Sequence, residues 1–196
     1  MSAVSFTIPE AVYIGVFDFD RGKDGIIILC GKAYDSKGRL ASFIGRITPN
    51  GESSQVIRTA PFSPHLISEA DDGTIWTVGL ESINGDENVP GVNPNGDVLR
   101  HFDSSGKLIA SAFPRPRIAA GRLVTGYLVA TADRLAWYAP ADGRGTYAEL
   151  SSEGKLLDEY PGMTDRSGRA TGFALTSTGK AYLTFSSFKW PASIQP

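Results

Sequence analysis

Asp24-Gly25-Ile26-Ile27-Ile28 and Asp72-Gly73-Thr74-Ile75-Trp76 are two copies of one phrase: an acidic residue and a glycine turn the chain, and the third residue beyond the glycine is bulky. The phrase returns as Asp133-Arg134-Leu135-Ala136-Trp137 and as Thr178-Gly179-Lys180-Ala181-Tyr182. A second phrase alternates with it, as Asn50-Gly51-Glu52, Ser105-Gly106-Lys107 and Glu153-Gly154-Lys155, followed by strands such as Leu108 to Phe113 and Leu156 to Tyr160. Both phrases supply the positive φ that tight hairpins require and that glycine adopts without a Cβ clash. No stretch holds a helical period, whereas period-two alternation is frequent, as in Val4, Phe6 and Ile8. The reading is all-β, with many short strands and tight turns.

The bulky residue recurs at Ile28, Trp76, Trp137 and Tyr182, at spacings of 48, 61 and 45 residues. A four-stranded blade of a β-propeller takes about 40–50 residues, so the chain reads as three complete blades and a partial fourth, with one long insertion. Each unit is strand A, first turn, strand B, a variable loop, strand C, second turn and strand D. The A strands begin near Tyr13, His65, Gly126 and Gly172, and the units cover 9–60, 61–113, 123–160 and 170–196 of a single domain. Ile28, Trp76, Trp137 and Tyr182 are expected at equivalent places on the B strands, filling the gaps between blades. Val4 to Ile8 is expected to donate a closing strand. After Phe185 the chain offers two prolines and no second turn phrase, so the fourth blade lacks strands C and D. The expectation is a fragment of a larger propeller, or self-association through an unclosed blade face.

The D-G-x-[ILV]-[WY] step after the innermost strand resembles that of the NHL-repeat and gluconolactonase-like propellers, over residues 9 to 185. The resemblance to gluconolactonases implies a metal-dependent hydrolase, in which channel-lining carboxylates and amides hold a divalent cation that polarises a lactone carbonyl. Glu10, Asp18, Asp20, Asn93 and Asp97 are the residues this chain offers for such a site. The E-G-P-x-W opening of those enzymes is replaced here by Glu10-Ala11-Val12.

Composition narrows the alternatives. Nineteen basic and 21 acidic residues, interspersed along 196, leave a net charge of -2 and no nucleic-acid footprint. The longest aliphatic run, Ile26 to Leu29, is far short of the roughly 20 residues of a membrane helix, and the chain reads as soluble. Met1 to Ile8 has neither the basic nor the apolar region of a secretory signal, which leaves the compartment open, an extracytoplasmic one included. Cys30, the single cysteine, excludes an intrachain disulfide and reads as a small core residue.

Alternating turns place the B–C and D–A connections at one end of the propeller and the short turns at the other. The segments Gly31 to Leu40, Ala60 to Pro64, Glu81 to Gly96, Pro114 to Val124, Ala139 to Gly145 and Pro161 to Ala170 are expected to be the long loops of one binding face. That face collects His65, Arg115, Arg117 and Arg122, and the acidic Asp86 and Glu87. Three arginines suit a carboxylate or phosphate. The oxygen-rich loop around Asp86, Glu87, Asn88, Asn93 and Asn95 suits Ca²⁺, and Asp18 and Asp20, about 6–7 Å apart on one strand face, suit a shared cation. His101, in the alternating segment Val98 to Phe102, reads as a strand or core histidine. The favoured function is a non-catalytic binding or scaffolding propeller for a protein, peptide or glycan, with the cofactor left open between none, the favoured reading, and Ca²⁺ or another divalent cation. The alternative is the lactonase-like hydrolase.

Overall fold

The computed structural model describes residues 6–51, 54–114, 126–141, 144–163, 169–176, 178 and 180–186. Its strands form consecutive antiparallel sheets. The first holds β1 (Ala11–Arg21), β2 (Ile27–Asp35), β3 (Leu40–Ile47) and β4 (Ser54–Arg58) in that order. The second holds β5 (Phe62–Glu69), β6 (Ile75–Glu81), β7 (Asp97–Phe102) and β8 (Leu108–Pro114). β9 (Tyr127–Ala130), β10 (Arg134–Ala141), β11 (Arg144–Ser151) and β12 (Leu156–Met163) make the third, and β13 (Arg169–Leu175) with β14 (Ala181–Ser186) makes a two-stranded pair. The first strand of each sheet neighbours the first strand of the next: β1 lies against β5, β5 against β9 and β9 against β13. This is the propeller arrangement, three four-stranded blades and a hairpin set about an axis lined by first strands.

The cores lie between blades. Ile28, Cys30, Ile44 and Ile57 of the first blade meet Ile67, Ile75 and Phe102 of the second. Trp76, Val78, Leu99 and Phe113 meet Leu135, Trp137, Ala148 and Leu150 of the third. Ala136, Tyr138 and Tyr147 then pack on Phe173, Leu175 and Leu183. The outer face of the first blade, with Leu29, Phe43 and Ile47, is covered by Phe6 and Ile8. Phe6 stacks on Phe43 at 5.9 Å, in space that Gly45 leaves open: a Cβ there would lie 2.8 Å from the Phe6 ring. Residues 6–8 are therefore a cover on the sheet face and not the closing strand expected of them; residues 4 and 5 lie outside the described residues.

The four bulky residues do lie on B strands, but one is out of phase. Counting from the pair that closes each A–B turn, Ile28, Trp76 and Tyr182 are second and Trp137 is third. Three of the turns are closed by Gly22 N–H to Ile26 O, Ala70 N–H to Thr74 O and Thr176 N–H to Lys180 O; the third blade's is closed by Thr131 N–H to Arg134 O, one residue tighter. A shift of one residue turns a side chain to the other face. Trp76 thus packs forward onto the third blade while Trp137 packs back onto the second, where the Phe113 ring meets it edge-on at 5.6 Å. Tyr182, in phase with Trp76, points away from the third blade and is 56% exposed. Its role is not that of an inter-blade filler among the described residues.

Three of the four A strands share a further feature. β1 is bulged between Val16 and Asp18, β5 between Pro64 and Leu66 and β13 between Ala170 and Gly172, each after four regular pairs from the turn. The bulges at Phe17 and His65 bring the A-strand backbone over Gly31 and Gly79. A Cβ on Gly31 would sit 2.0 Å from the Gly15 carbonyl oxygen, and one on Gly79 2.1 Å from that of Ser63. Trp137→Ala is expected to lower unfolding free energy by about 3–5 kcal/mol. Tyr182→Ala should change it by less than about 0.5 kcal/mol. Urea denaturation of the two variants measures both; equal losses would contradict the face assignment.

Candidate functional site

At the short-turn end, charged side chains fasten the blades. Arg46 of β3 pairs with the fully buried Glu69 side chain of β5 and donates to the Ser104 carbonyl at 3.0 Å. Burial raises the pKa of Glu69, opposed by Arg46. Gly22 accommodates this carboxylate, because a Cβ would lie 1.4 Å from Glu69 Oε2.

Along the axis the two aspartates proposed for a cation do related work. Asp18 Oδ2 accepts the Ile67 N–H at 3.0 Å, and Asp20 Oδ2 accepts the Ser68 hydroxyl at 2.9 Å. Ser68 Oγ in turn accepts the Ala130 N–H at 3.0 Å, so one chain of bonds crosses β1, β5 and β9. Desolvation raises the Asp18 pKa despite the Ile67 bond. Asp18 and Asp20 do share a face, as their spacing implies, but each is engaged by the neighbouring blade. Cys30 is fully buried beside them, and burial pushes its thiol pKa up, so it is a core residue and not a nucleophile.

The loop-rich end is less open than expected. Gly31 to Asp35 and Ala139 to Ala141 continue β2 and β10, leaving short hairpin connections, and Thr59 to Pro61 is a tight link with a cis Ala60–Pro61 bond. Small and polar residues such as Gly31 and Lys32 read as loop, yet they pair in register with β3. Among the described residues the single long connection is Ser82 to Gly96. It folds back on itself, with Asn93 N–H bonded to Glu81 O, and clips onto the first blade. Glu87 Oε2 accepts the Ser42 N–H and Asn88 Oδ1 the Leu40 N–H, both at 2.7 Å, while Glu87 also pairs with Arg58 at 3.5 Å. Asp86 caps its own turn through Asn88 N–H, and Asn93 bonds Asn95 N–H and Glu81. Glu87, whose side chain is only 6% exposed, therefore clips the second blade to the first. Asp97 opens β7 opposite Pro114. Among the described residues no group of three or more His, Cys, Asp and Glu is placed to hold a metal ion, and Glu10, Asp18, Asp20, Asn93 and Asp97 are not brought together as one ligand set. Arg115, Arg117 and Arg122 lie outside the described residues.

What the structure does assemble at the axis is a pair of rings. The bulges set Phe17 and His65 on adjacent A strands, stacked at 4.6 Å with 2° between their planes, and Phe17 remains 44% exposed. Ser63 Oγ lies 3.5 Å from His65 Nε2. Burial, aided by the charge of Lys32, depresses the His65 pKa to about 4, so the imidazole is neutral at pH 7. Phe17 was not singled out from sequence. Its only signal is indirect: Gly31 and Gly79 stand at the same offset from Asp24 and Asp72, and each marks a bulge on the partner strand.

His101 stacks on Trp76 at 4.1 Å inside the second blade, and burial lowers its pKa as well. It is a core histidine.

The class is that of an all-β propeller array, with no helix among the described residues long and apolar enough to cross a membrane. No family model matches the chain and no curated protein aligns with it. Among solved structures it is similar to one described as a "putative gluconolactonase", at 13% identity and a TM-score of 0.43, covering 89% of this chain and 73% of that one.

Both histidines are held below the ordinary value of 6.5, so the unfolded chain binds their protons first. The stability each contributes is complete above about pH 6.5 and is lost as pH falls below it, for His65 through about 4. The urea midpoint should fall between pH 7 and 5, and should fall less when His65→Phe and His101→Phe are combined. An unchanged pH slope in that double variant would contradict the burial of neutral imidazoles.

Proposed function

We propose that the chain is a non-catalytic binding propeller whose ligand, a peptide or glycan segment, docks at the loop-rich end of the axis. The observation that carries this reading is the Phe17–His65 stack: a flat, partly exposed apolar surface, prebuilt by two bulges and flanked by Lys32. An aromatic face suits the apolar face of a sugar ring or an aromatic peptide side chain, and Lys32 suits an acidic group on the same ligand. Arg115, Arg117 and Arg122 follow β8 in the chain and are proposed to extend the cationic side of this face. The lactonase-like alternative needs a cation site; of the residues offered for one, Asp18 and Asp20 bond the neighbouring blade, Asn93 bonds Glu81 of its own blade, and among the described residues they form no cluster of three or more ligands.

Peptide and glycan arrays probed with the whole chain test the proposal. Phe17→Ala is expected to weaken the selected ligand about tenfold or more, a loss of roughly 1.4 kcal/mol, with little change in melting temperature. Arg115→Ala combined with Arg117→Ala should act in the same direction. Lactone hydrolysis stimulated by Ca²⁺, Mn²⁺ or Zn²⁺, and abolished by Asp18→Asn or Asp20→Asn, would overturn the reading.

A further inference from the structure

Away from the axis, a cleft of about 290 Å³ opens at the rim of the first blade, between the residues that lead into β1 and the β2–β3 hairpin. Its apolar lining includes Ile8, Ala33 and Leu40, and its charged residues are Glu10, Asp35, Arg39 and Arg58, with Asn88 reaching in from the second blade. Two of these, Glu10 and Arg58, carry opposite charges and are little used among the described residues. Glu10 has no hydrogen bond or ion pair to another described residue, and Arg58 has one long ion pair, 3.5 Å to Glu87, with 68% of its side chain exposed. Asp35 is by contrast satisfied by Arg39 Nε at 2.6 Å and by the Lys37 and Arg39 N–H groups.

Glu10 is also held in an unfavourable backbone conformation. Pro9 and Glu10 are the central residues of a turn closed by Ala11 N–H to Ile8 O at 3.1 Å, and Glu10 has φ 68°. Proline followed by a residue of positive φ is the type II pattern, in which glycine or asparagine belongs at the second place. A glutamate there costs stability that glycine would not, and Glu10 is one of the residues lining the cleft.

We propose that this cleft binds a small zwitterion, a free amino acid or dipeptide, with its ammonium group on Glu10 and its carboxylate on Arg58 and Arg39. Opposite charges on one ligand match the opposite charges of the cleft, and the alanine and leucine lining takes an apolar side chain between them. Arg39 retains its Nη donors for this role, since its bond to Asp35 uses Nε. The site is separate from the axis and does not rest on the function proposed there.

Isothermal titration of the whole chain with alanyl-leucine tests it, beside the N-acetylated and C-amidated forms of the same dipeptide. Saturable binding of the zwitterion is expected, weakened at least about tenfold by blocking either end. Glu10→Gln should restore near-equality between the free and N-acetylated forms, and Arg58→Gln between the free and amidated forms. Glu10→Gly is the decisive variant: it should raise the melting temperature by relieving the turn while losing the dipeptide. Phe17→Ala should leave this binding unchanged. No saturable heat at about 10 mM ligand, or equal binding of the blocked and free forms to the unsubstituted chain, would overturn the proposal.

Discussion

A four-stranded antiparallel sheet has two apolar faces and no interior, so each blade depends on its neighbours for burial. The seam between blades is consequently where this chain places its largest side chains and its charged fasteners together. Trp76 and Trp137 fill one seam from opposite sides, and the aliphatic cluster of Ile28, Ile44, Ile67 and Ile75 fills another. Polar groups then fix how the faces meet. Arg46 and Glu69 do so near the turns, Asp18, Asp20 and Ser68 beside the axis, and Glu87 and Asn88 at the far edge. Apolar contact alone would let two flat faces slide; bonds at three places along the seam remove that freedom.

This division of labour explains why the acidic residues can be read two ways from sequence. Paired aspartates on a strand and a loop rich in Asp, Glu and Asn have the composition of a cation site, and composition does not distinguish a metal from a backbone N–H as the partner. Both satisfy carboxylate oxygens. The distinction lies in what faces the strand across the seam, here the Ile67 N–H and the Ser68 hydroxyl, which lie 49 and 48 residues further along the chain from their acceptors.

The blade order, the strand count and the alternation of turns were legible because they are local: a glycine at positive φ followed by alternating residues specifies a hairpin wherever it stands. The phase of the third blade was not, because Asp133-Arg134 matches the phrase in letters while its turn closes one residue sooner. Aligning by the aspartate therefore assigned Trp137 to the wrong face. The loop lengths were misjudged for a related reason, since Lys32 and Gly31 interrupt an apolar run without interrupting the ladder. Phe17 could be reached from sequence only through the two glycines opposite the bulges, a signal that acquires meaning once the pairing is known.

The bulges have a consequence for recognition in general. An inner strand kinked at a fixed count from its turn, with a glycine beneath it that no larger residue can replace, presents its outward ring in one orientation whether or not anything is bound. The Phe17 and His65 rings are thus set before any encounter, and under the binding function proposed for this face a ligand would forfeit only its own freedom. If the proposed recognition holds, it would be governed by shape already present, so that closely related ligands would differ in how long they stay far more than in how fast they arrive.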